Sequence, residues 1–176
     1  MKLYFVRHGQ TEYNITTRLT GQTDIPLTEV GIQQAEKAIS EIPVGISEIY
    51  SSDLLRCKQT TEILNKDLHL PVTYDARLRE RDFGSFSGKH WNDIDPDGSL
   101  KAKDKRLEYN YHPQGGESID DVKKRVFECI DDMRKKKRTI LVVTSAGIIR
   151  LLHHVLDNEL HETIHNSSVH EFDFSD

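Results

Sequence analysis

Lys2-Leu3-Tyr4-Phe5-Val6-Arg7-His8-Gly9-Gln10-Thr11 is an apolar run that stops abruptly at an arginine, a histidine and a glycine. Leu3 to Val6 stay apolar on both faces and turn chemistry follows at once, the pattern of a strand buried inside an α/β sheet. Arg7 and His8 then sit at its carboxyl end, where open α/β sheets place ligands. Arginine brings a rigid fork of donors suited to phosphate or carboxylate. Histidine brings a nucleophile or proton carrier near neutral pH, and Gly9 a bare backbone that lets a ligand come close. Alone, the decapeptide fits either a phosphate site at a strand end or a charged strand exit without chemistry.

Working outward, Gln10 to Pro26 is a polar loop holding Asn14, Arg18, Thr20 and Gly21, candidate ligand contacts because loops at strand ends carry function. Thr28 reads as the N-cap of an amphipathic helix with Val30, Ile32, Ala35, Ala38, Ile39 and Ile42 on its apolar face, ending near Pro43. Gly45 to Ser51 reads as the second strand. Ser51-Ser52-Asp53 would cap the next helix, whose buried stripe is Leu54, Cys57, Thr61, Leu64 and Leu68. Arg56 falls off that stripe in the first turn, a second arginine able to face the crevice of Arg7. Pro71 to Tyr74 is a short strand. Glu80 follows between Arg79 and Arg81, whose charges favour the carboxylate over the acid.

Residues 89–116 are polar and read as an excursion over the sheet edge, with a short helix around Leu100 to Leu107. Ser118 and Asp121 form a capping box before a helix with Ile119, Val122, Val126, Ile130 and Met133 on its apolar face. Thr139 to Val143 is a second continuous apolar strand. Thr144-Ser145-Ala146-Gly147 then turns into a helix carrying Ile148, Ile149, Leu151, Leu152 and Val155, and free backbone N–H groups at such a turn can hold an anion. Val169 to Phe174 alternates and reads as a last, edge strand. The order βαβαβ…αβαβ, without repeat or linker, predicts a single α/β domain over residues 1–176 in three α/β/α layers, its mainly parallel sheet flanked by helices.

A chain of 176 residues can bury a real core. Its net charge of -5 provides no basic field, so a nucleic-acid partner is not expected. The basic cluster from Arg134 to Arg138 reads as the cationic end of a helix. No apolar run approaches the roughly 18 residues of a membrane span, and the start is too short for a signal-peptide core. Cys57 and Cys129 lack any paired spacing and read as reduced thiols of a cytoplasmic protein. The histidines are scattered without His-x-x-x-His or Cys-x-x-Cys units, so neither a metal nor another cofactor is expected.

Arg7, His8, Arg56, Glu80 and the turn from Thr144 to Gly147 all fall at strand ends or helix starts. Two arginines, a histidine and a carboxylate are the parts of phosphoryl transfer to nitrogen: cations for the equatorial oxygens, a nucleophile, and an acid for the leaving oxygen. The ordered set Val6-Arg7-His8-Gly9-Gln10-Thr11-Glu12-Tyr13-Asn14, Thr20-Gly21, Asp24-Ile25-Pro26-Leu27-Thr28, Ser51-Ser52-Asp53-Leu54-Leu55-Arg56, Leu78-Arg79-Glu80 and Gly115-Gly116-Glu117-Ser118 closely resembles the histidine phosphatase superfamily, also called phosphoglycerate-mutase-like. The resemblance covers nearly the whole chain. It implies a phosphohistidine mechanism on a small phosphorylated substrate: His8 as nucleophile, Arg7 and Arg56 as the phosphoryl clamp, Glu80 as proton donor and then base. Asn14, Thr20, Gly21 and Ala146 would be lesser substrate contacts.

One position departs from the pattern. The family's second histidine is expected where Ser145 stands. A hydroxyl can donate a hydrogen bond but brings no charge, and losing one preorganised stabiliser costs on the order of 10²- to 10³-fold in rate. Ser145 reads either as an N-cap or as a substituted site residue. His153 is too far along the same helix to replace the histidine, about 12 Å away, which leaves His112 and His165 open. The short span between Glu80 and Gly115 resembles that of α-ribazole and broad-specificity phosphatases rather than the longer mutases. A small-molecule phosphomonoesterase is therefore the leading reading, with a catalytically impaired phospho-ligand binder and a phosphoglycerate mutase as alternatives. Specificity contacts are expected from around residues 82–114, with Arg81, Phe83, Phe86, Lys89, Trp91 and Tyr111 as candidates.

Overall fold

The computed structural model describes residues 1–174. The strands are β1 (Lys2–Arg7), β2 (Glu48–Ser51), β3 (Val72–Tyr74), β4 (Ile140–Thr144) and β5 (Val169–Asp173), and they form one sheet in the order β3-β2-β4-β1-β5. All neighbours are parallel except β5, which pairs antiparallel with β1 at the edge. The two continuous apolar strands, β1 and β4, lie next to one another in the middle, because only a strand covered on both faces can be apolar on both.

Side chains alternate across each strand, so the period of two divides the core in half. Leu3, Phe5, Ile140 and Val142 face one helical layer, made of α6 (Ile119–Lys135) and α7 (Ala146–Leu152). Val6, Ile49, Leu141 and Val143 face the other, made of α2 (Glu29–Ala38) and α3 (Leu55–Leu68). This is the expected three-layer α/β/α architecture. Phe172 of β5 closes the first half, its ring edge-on to Phe5 with centroids 5.5 Å apart. The short helices α1 (Glu12–Ile15), α4 (Trp91–Ile94) and α5 (Ser99–Lys105) lie in the segments after β1 and after β3.

Several local expectations hold and three change. Thr28 caps α2 by accepting from Gly31 N at 3.1 Å, and Ser118 with Asp121 forms the capping box of α6. Val30, assigned to the apolar face of α2, is 48% exposed. The start of α3 is held from a distance: Leu55 N donates to Asp24 Oδ1 at 2.6 Å, Ser52 Oγ accepts from Leu54 N, and Asp53 is turned aside to pair with Arg79. A local capping rule could not anticipate a carboxylate from a separate loop. Third, Gly9 is a glycine for packing rather than for ligand approach. A Cβ on Gly9 would lie 2.3 Å from the Gly31 carbonyl oxygen, and one on Gly31 would lie 2.2 Å from that of Gln10. The two glycines let the exit of β1 press directly against the first turn of α2.

Among the described residues no helix is long and apolar enough to cross a membrane. Because backbone cannot yield as a flexible side chain does, Gly31→Ala should destabilise the fold by about 1–3 kcal/mol. Val44→Ala, at a fully solvated side chain, should stay within about 0.5 kcal/mol; paired urea titrations measure both.

Candidate active site

The ladder between β1 and β4 ends with His8 N donating to Thr144 O at 3.0 Å, and the exit of β2 is tied in by Ser52 N donating to Val143 O at 2.9 Å. Three strand ends therefore open together. At their mouth is a cleft of about 150 Å³ onto which Arg7, His8, Arg56 and Glu80 converge. Asn14, Thr20, Gly21 and Ala146 line it as well. Of the residues expected at the site, only Ser145 is absent from this lining. It is fully buried behind the cleft, its Oγ 3.5 Å from Arg56 Nη2.

His8 is 4% exposed, and its Nδ1 lies 2.7 Å from the carbonyl oxygen of Gly9. A carbonyl can only accept, so Nδ1 carries the proton and Nε2 keeps its lone pair. Burial, reinforced by the charges of Arg56 and Arg7, holds the imidazole well below its ordinary pKa. The ring is thereby kept neutral and nucleophilic at one defined nitrogen.

The two arginines are held by carbonyls rather than carboxylates. Arg7 Nη1 donates to Ile164 O; Arg56 Nη1 and Nη2 donate to Thr23 O and Gly21 O at 3.0 and 2.8 Å. A neutral acceptor fixes a guanidinium without cancelling its charge. The Nε of each is buried without a protein partner, an arrangement suited to an anion. Burial above all lowers the Arg7 pKa to about 10, with Arg150 and Arg56 adding to the effect and Glu80 opposing it. The charge remains intact near neutral pH. Arg18, in the loop after β1, lines the same cleft. Asn14 Oδ1 accepts from Thr11 N and from Asn166 Nδ2, and the same Asn166 nitrogen donates to His8 O at 3.1 Å.

Glu80 is oriented by backbone amides, not by the side chains that flank it. Oε1 accepts from Arg81 N at 2.8 Å and Oε2 from Gly147 N at 3.1 Å. The flanking guanidiniums turn away: Arg79 binds both oxygens of Asp53 at 2.6 Å, and Arg81 donates to the carbonyls of Glu117 and Tyr109. The amide at the start of α7, read from sequence as an anion site, thus holds the chain's own carboxylate. Ser145 stands at the N-cap of α7 but makes no side-chain capping bond. A Cβ on Gly147 would lie 2.2 Å from Glu80 Oε1, so any other residue there would have to push the Glu80 carboxylate aside.

The specificity candidates separate. Phe83 and Trp91 line the cleft, Arg81 lines an adjoining cavity, and Tyr111 is fully buried behind them. Lys89 sits over the ring of Phe86 instead. His112 pairs with Asp121 at 2.5 Å and His165 is exposed, and among the described residues His8 is the only histidine lining the cleft. No nearby histidine takes the place of Ser145. Asp104 and Asn166 carry no signal in the sequence, Asp104 lying in the polar excursion and Asn166 in a loop. Gly147 belongs to the turn read as an anion site, and its pairing with Glu80 explains the glycine. Among the described residues no group of three or more His, Cys, Asp or Glu side chains is placed to hold a metal ion.

Residues 3–176 match the family model of the histidine phosphatase superfamily, branch 1. The chain belongs to this superfamily. Among solved structures it is similar to a phosphoglycerate mutase from Thermus thermophilus, with a TM-score of 0.84 and 32% identity over 99% of this chain and 94% of the other. It is also similar to a mycobacterial glucosyl-3-phosphoglycerate phosphatase in complex with VO3, with a TM-score of 0.81 and 30% identity over 97% and 91% of the two chains. Among curated proteins, a 2,3-bisphosphoglycerate-dependent phosphoglycerate mutase of Methylocella silvestris is 34% identical over 92% of this chain and 84% of its own length. The "Probable phosphoglycerate mutase GpmB" of Proteus mirabilis is 45% identical, but the match spans only 48% of this chain and 40% of that protein. The superfamily thus contributes phosphatases and mutases alike.

Two measurements probe the electrostatics and geometry. His8 is held well below pH 6.5 by burial, and His170 down to about 4 by burial and by His153 and His161. Below pH 6.5 the unfolded chain takes up protons that the folded chain refuses, so these groups make stability fall as pH drops from about 6.5 toward 4. Thermal melts should follow that sign, and a His8 ring titrating near pH 6.5 by NMR would contradict the assignment. Gly147→Ala should displace Glu80 and cost on the order of 10²-fold or more in turnover, read from kcat in a steady-state assay.

Proposed function

We propose that the chain is a phosphomonoester hydrolase that works through a phosphohistidine on His8, acting on a small phosphorylated metabolite. The observation that carries this reading is the fixed tautomer of His8, its free Nε2 set among two buried arginines whose Nε groups have no protein partner. The arginines neutralise the equatorial oxygens of the ester while Nε2 attacks phosphorus and the bond to the leaving oxygen breaks. Glu80 protonates that oxygen. The resulting carboxylate then accepts a proton from water as the water oxygen attacks phosphorus, the P–N bond breaks, and phosphate leaves His8 restored.

Nucleophile, clamp and acid–base group are each held by backbone atoms, so the geometry exists before substrate binds. Ser145 leaves the site one cation short of the family pattern. Its hydroxyl reaches Arg56 rather than the cleft lining, and Arg18 is the further positive charge facing the cleft. Turnover is therefore present but slow. The two buried, unpaired cysteines favour the cytoplasm as its compartment.

The burial of Ser145 also favours a second reading, a phospho-ligand binder without useful turnover. Hydrolysis of an aryl phosphate by the wild-type chain, His8→Ala and Ser145→His separates them. Slow phosphate release that disappears in His8→Ala and rises on the order of 10²-fold in Ser145→His is expected. Release untouched by His8→Ala would sink the phosphohistidine mechanism, absence of release by the wild-type chain would favour the binder, and exchange between 2- and 3-phosphoglycerate would favour a mutase.

A further inference from the structure

A second cavity, of about 70 Å³, adjoins the cleft at Glu80, and Glu80, Phe83, Asp104 and Ala146 line both spaces. The alcohol portion of a substrate must begin beside the group that protonates its oxygen. This shared wall is therefore the first surface that the leaving group meets. Among the described residues, Asp104 is the only acidic side chain in it besides Glu80.

Asp104 lies on α5 with its side chain 14% exposed, and it is held through one oxygen. Oδ1 accepts from the phenol of Tyr111 at 2.9 Å and lies 3.5 Å from Arg81 Nη1. Both partners are themselves fixed. Tyr111 is fully buried, and Arg81 stacks over its ring at 4.6 Å while donating to Glu117 O at 3.1 Å. Among the described residues Oδ2 has no protein donor. Burial raises the pKa of the carboxyl, the charge of Glu80 adding to that and Arg81, Tyr111 and Arg150 opposing it. An oriented acceptor beside a phosphoryl site repels the phosphate itself, so what it contributes must lie in discrimination among the groups attached to phosphate.

We propose that Asp104 is a specificity-determining residue whose Oδ2 accepts a hydrogen bond from a hydroxyl or ammonium donor on the alcohol portion of the substrate. The chain then prefers phosphomonoesters of polyols or amino alcohols to those carrying a carboxylate next to the ester carbon. This rests on the phosphatase reading for where the leaving group lies. A donor-bearing alcohol satisfies Oδ2, whereas a carboxylate brings a second acceptor against it and leaves both without a proton.

Asp104→Asn preserves the shape and the acceptor for Tyr111 while removing the charge and putting an amide donor in place of Oδ2. The experiment compares the wild-type chain and Asp104→Asn on glycerol 3-phosphate, phosphoethanolamine and 2-phosphoglycolate, which bears a carboxylate on the ester carbon and no donor. It reads kcat/KM from phosphate release and Kd from calorimetric titration of each compound. The ratio of glycerol 3-phosphate to 2-phosphoglycolate should fall about tenfold or more in the variant, in kcat/KM and in affinity alike. Phosphoethanolamine falling with glycerol 3-phosphate identifies a general donor; one falling without the other identifies which donor is read. A purely structural Asp104 would depress all three compounds together and leave the ratios unchanged, which overturns the proposal. If the Kd ratios shift while the wild-type chain releases no phosphate, Asp104 keeps its role and the hydrolase reading fails.

Discussion

The pairing of β1 with β4 is the constraint on which the site depends. Its register sets Arg7 opposite Thr144, and its last bond runs from His8 N to Thr144 O. From that rung the chain leaves in two directions. One exit carries His8, and the other carries Ser145 and then Gly147, whose amide receives Glu80. His8 and Glu80 are thus referred to the same pair of central strands, buried on both faces by Val6, Val143, Phe5 and Val142. Slippage by one residue would reverse which side chains face which layer and would be opposed by the whole core.

A second regularity separates the arginines of this protein by their partners. Arg77, Arg79 and Arg125 bind carboxylates, of Asp75 and Asp132, of Asp53, and of Glu117. Their charge is neutralised in holding loops together. Arg7 and Arg56 bind carbonyls, so they are positioned while their charge stays available. Desolvating a cation without a counter-ion is costly, and the lowered pKa of Arg7 records that cost. Residues so arranged are poor choices for stability alone; they fit a site meant for a multiply charged anion. The same logic explains His8, whose neutrality follows from sharing this burial with two cations.

The positions of strands and helices were largely legible because each rests on a local pattern. Continuous apolar runs marked β1 and β4, a capping box marked α6, and alternation marked β5 with Phe172 inward. Arg7, His8, Arg56 and Glu80 were legible as candidates because they stand at element ends, and the fold brings the four to one cleft. Illegible were the contacts that join distant segments. Asp24 replaces Asp53 at the start of α3, Asn166 ties Asn14 to the backbone of His8, and Asp104 reaches the cleft from an excursion without periodicity. None of these has a signature within a few residues of itself.

Sequence by itself determined that this is a layered α/β chain with an arginine, a histidine and a carboxylate at its strand ends, since hydrophobic period and turn chemistry act over a few residues. Tertiary structure alone decided what those groups can do. The tautomer of His8 follows from one carbonyl, one of the two amides that orient Glu80 lies 67 positions away, and the freedom of two arginine charges follows from the carbonyls that hold them in place of carboxylates. Gly9 shows the difference most plainly. Its sequence context suggested room for a ligand, whereas its place in the fold is against the backbone of Gly31, because close packing is a relation between segments that no single stretch contains.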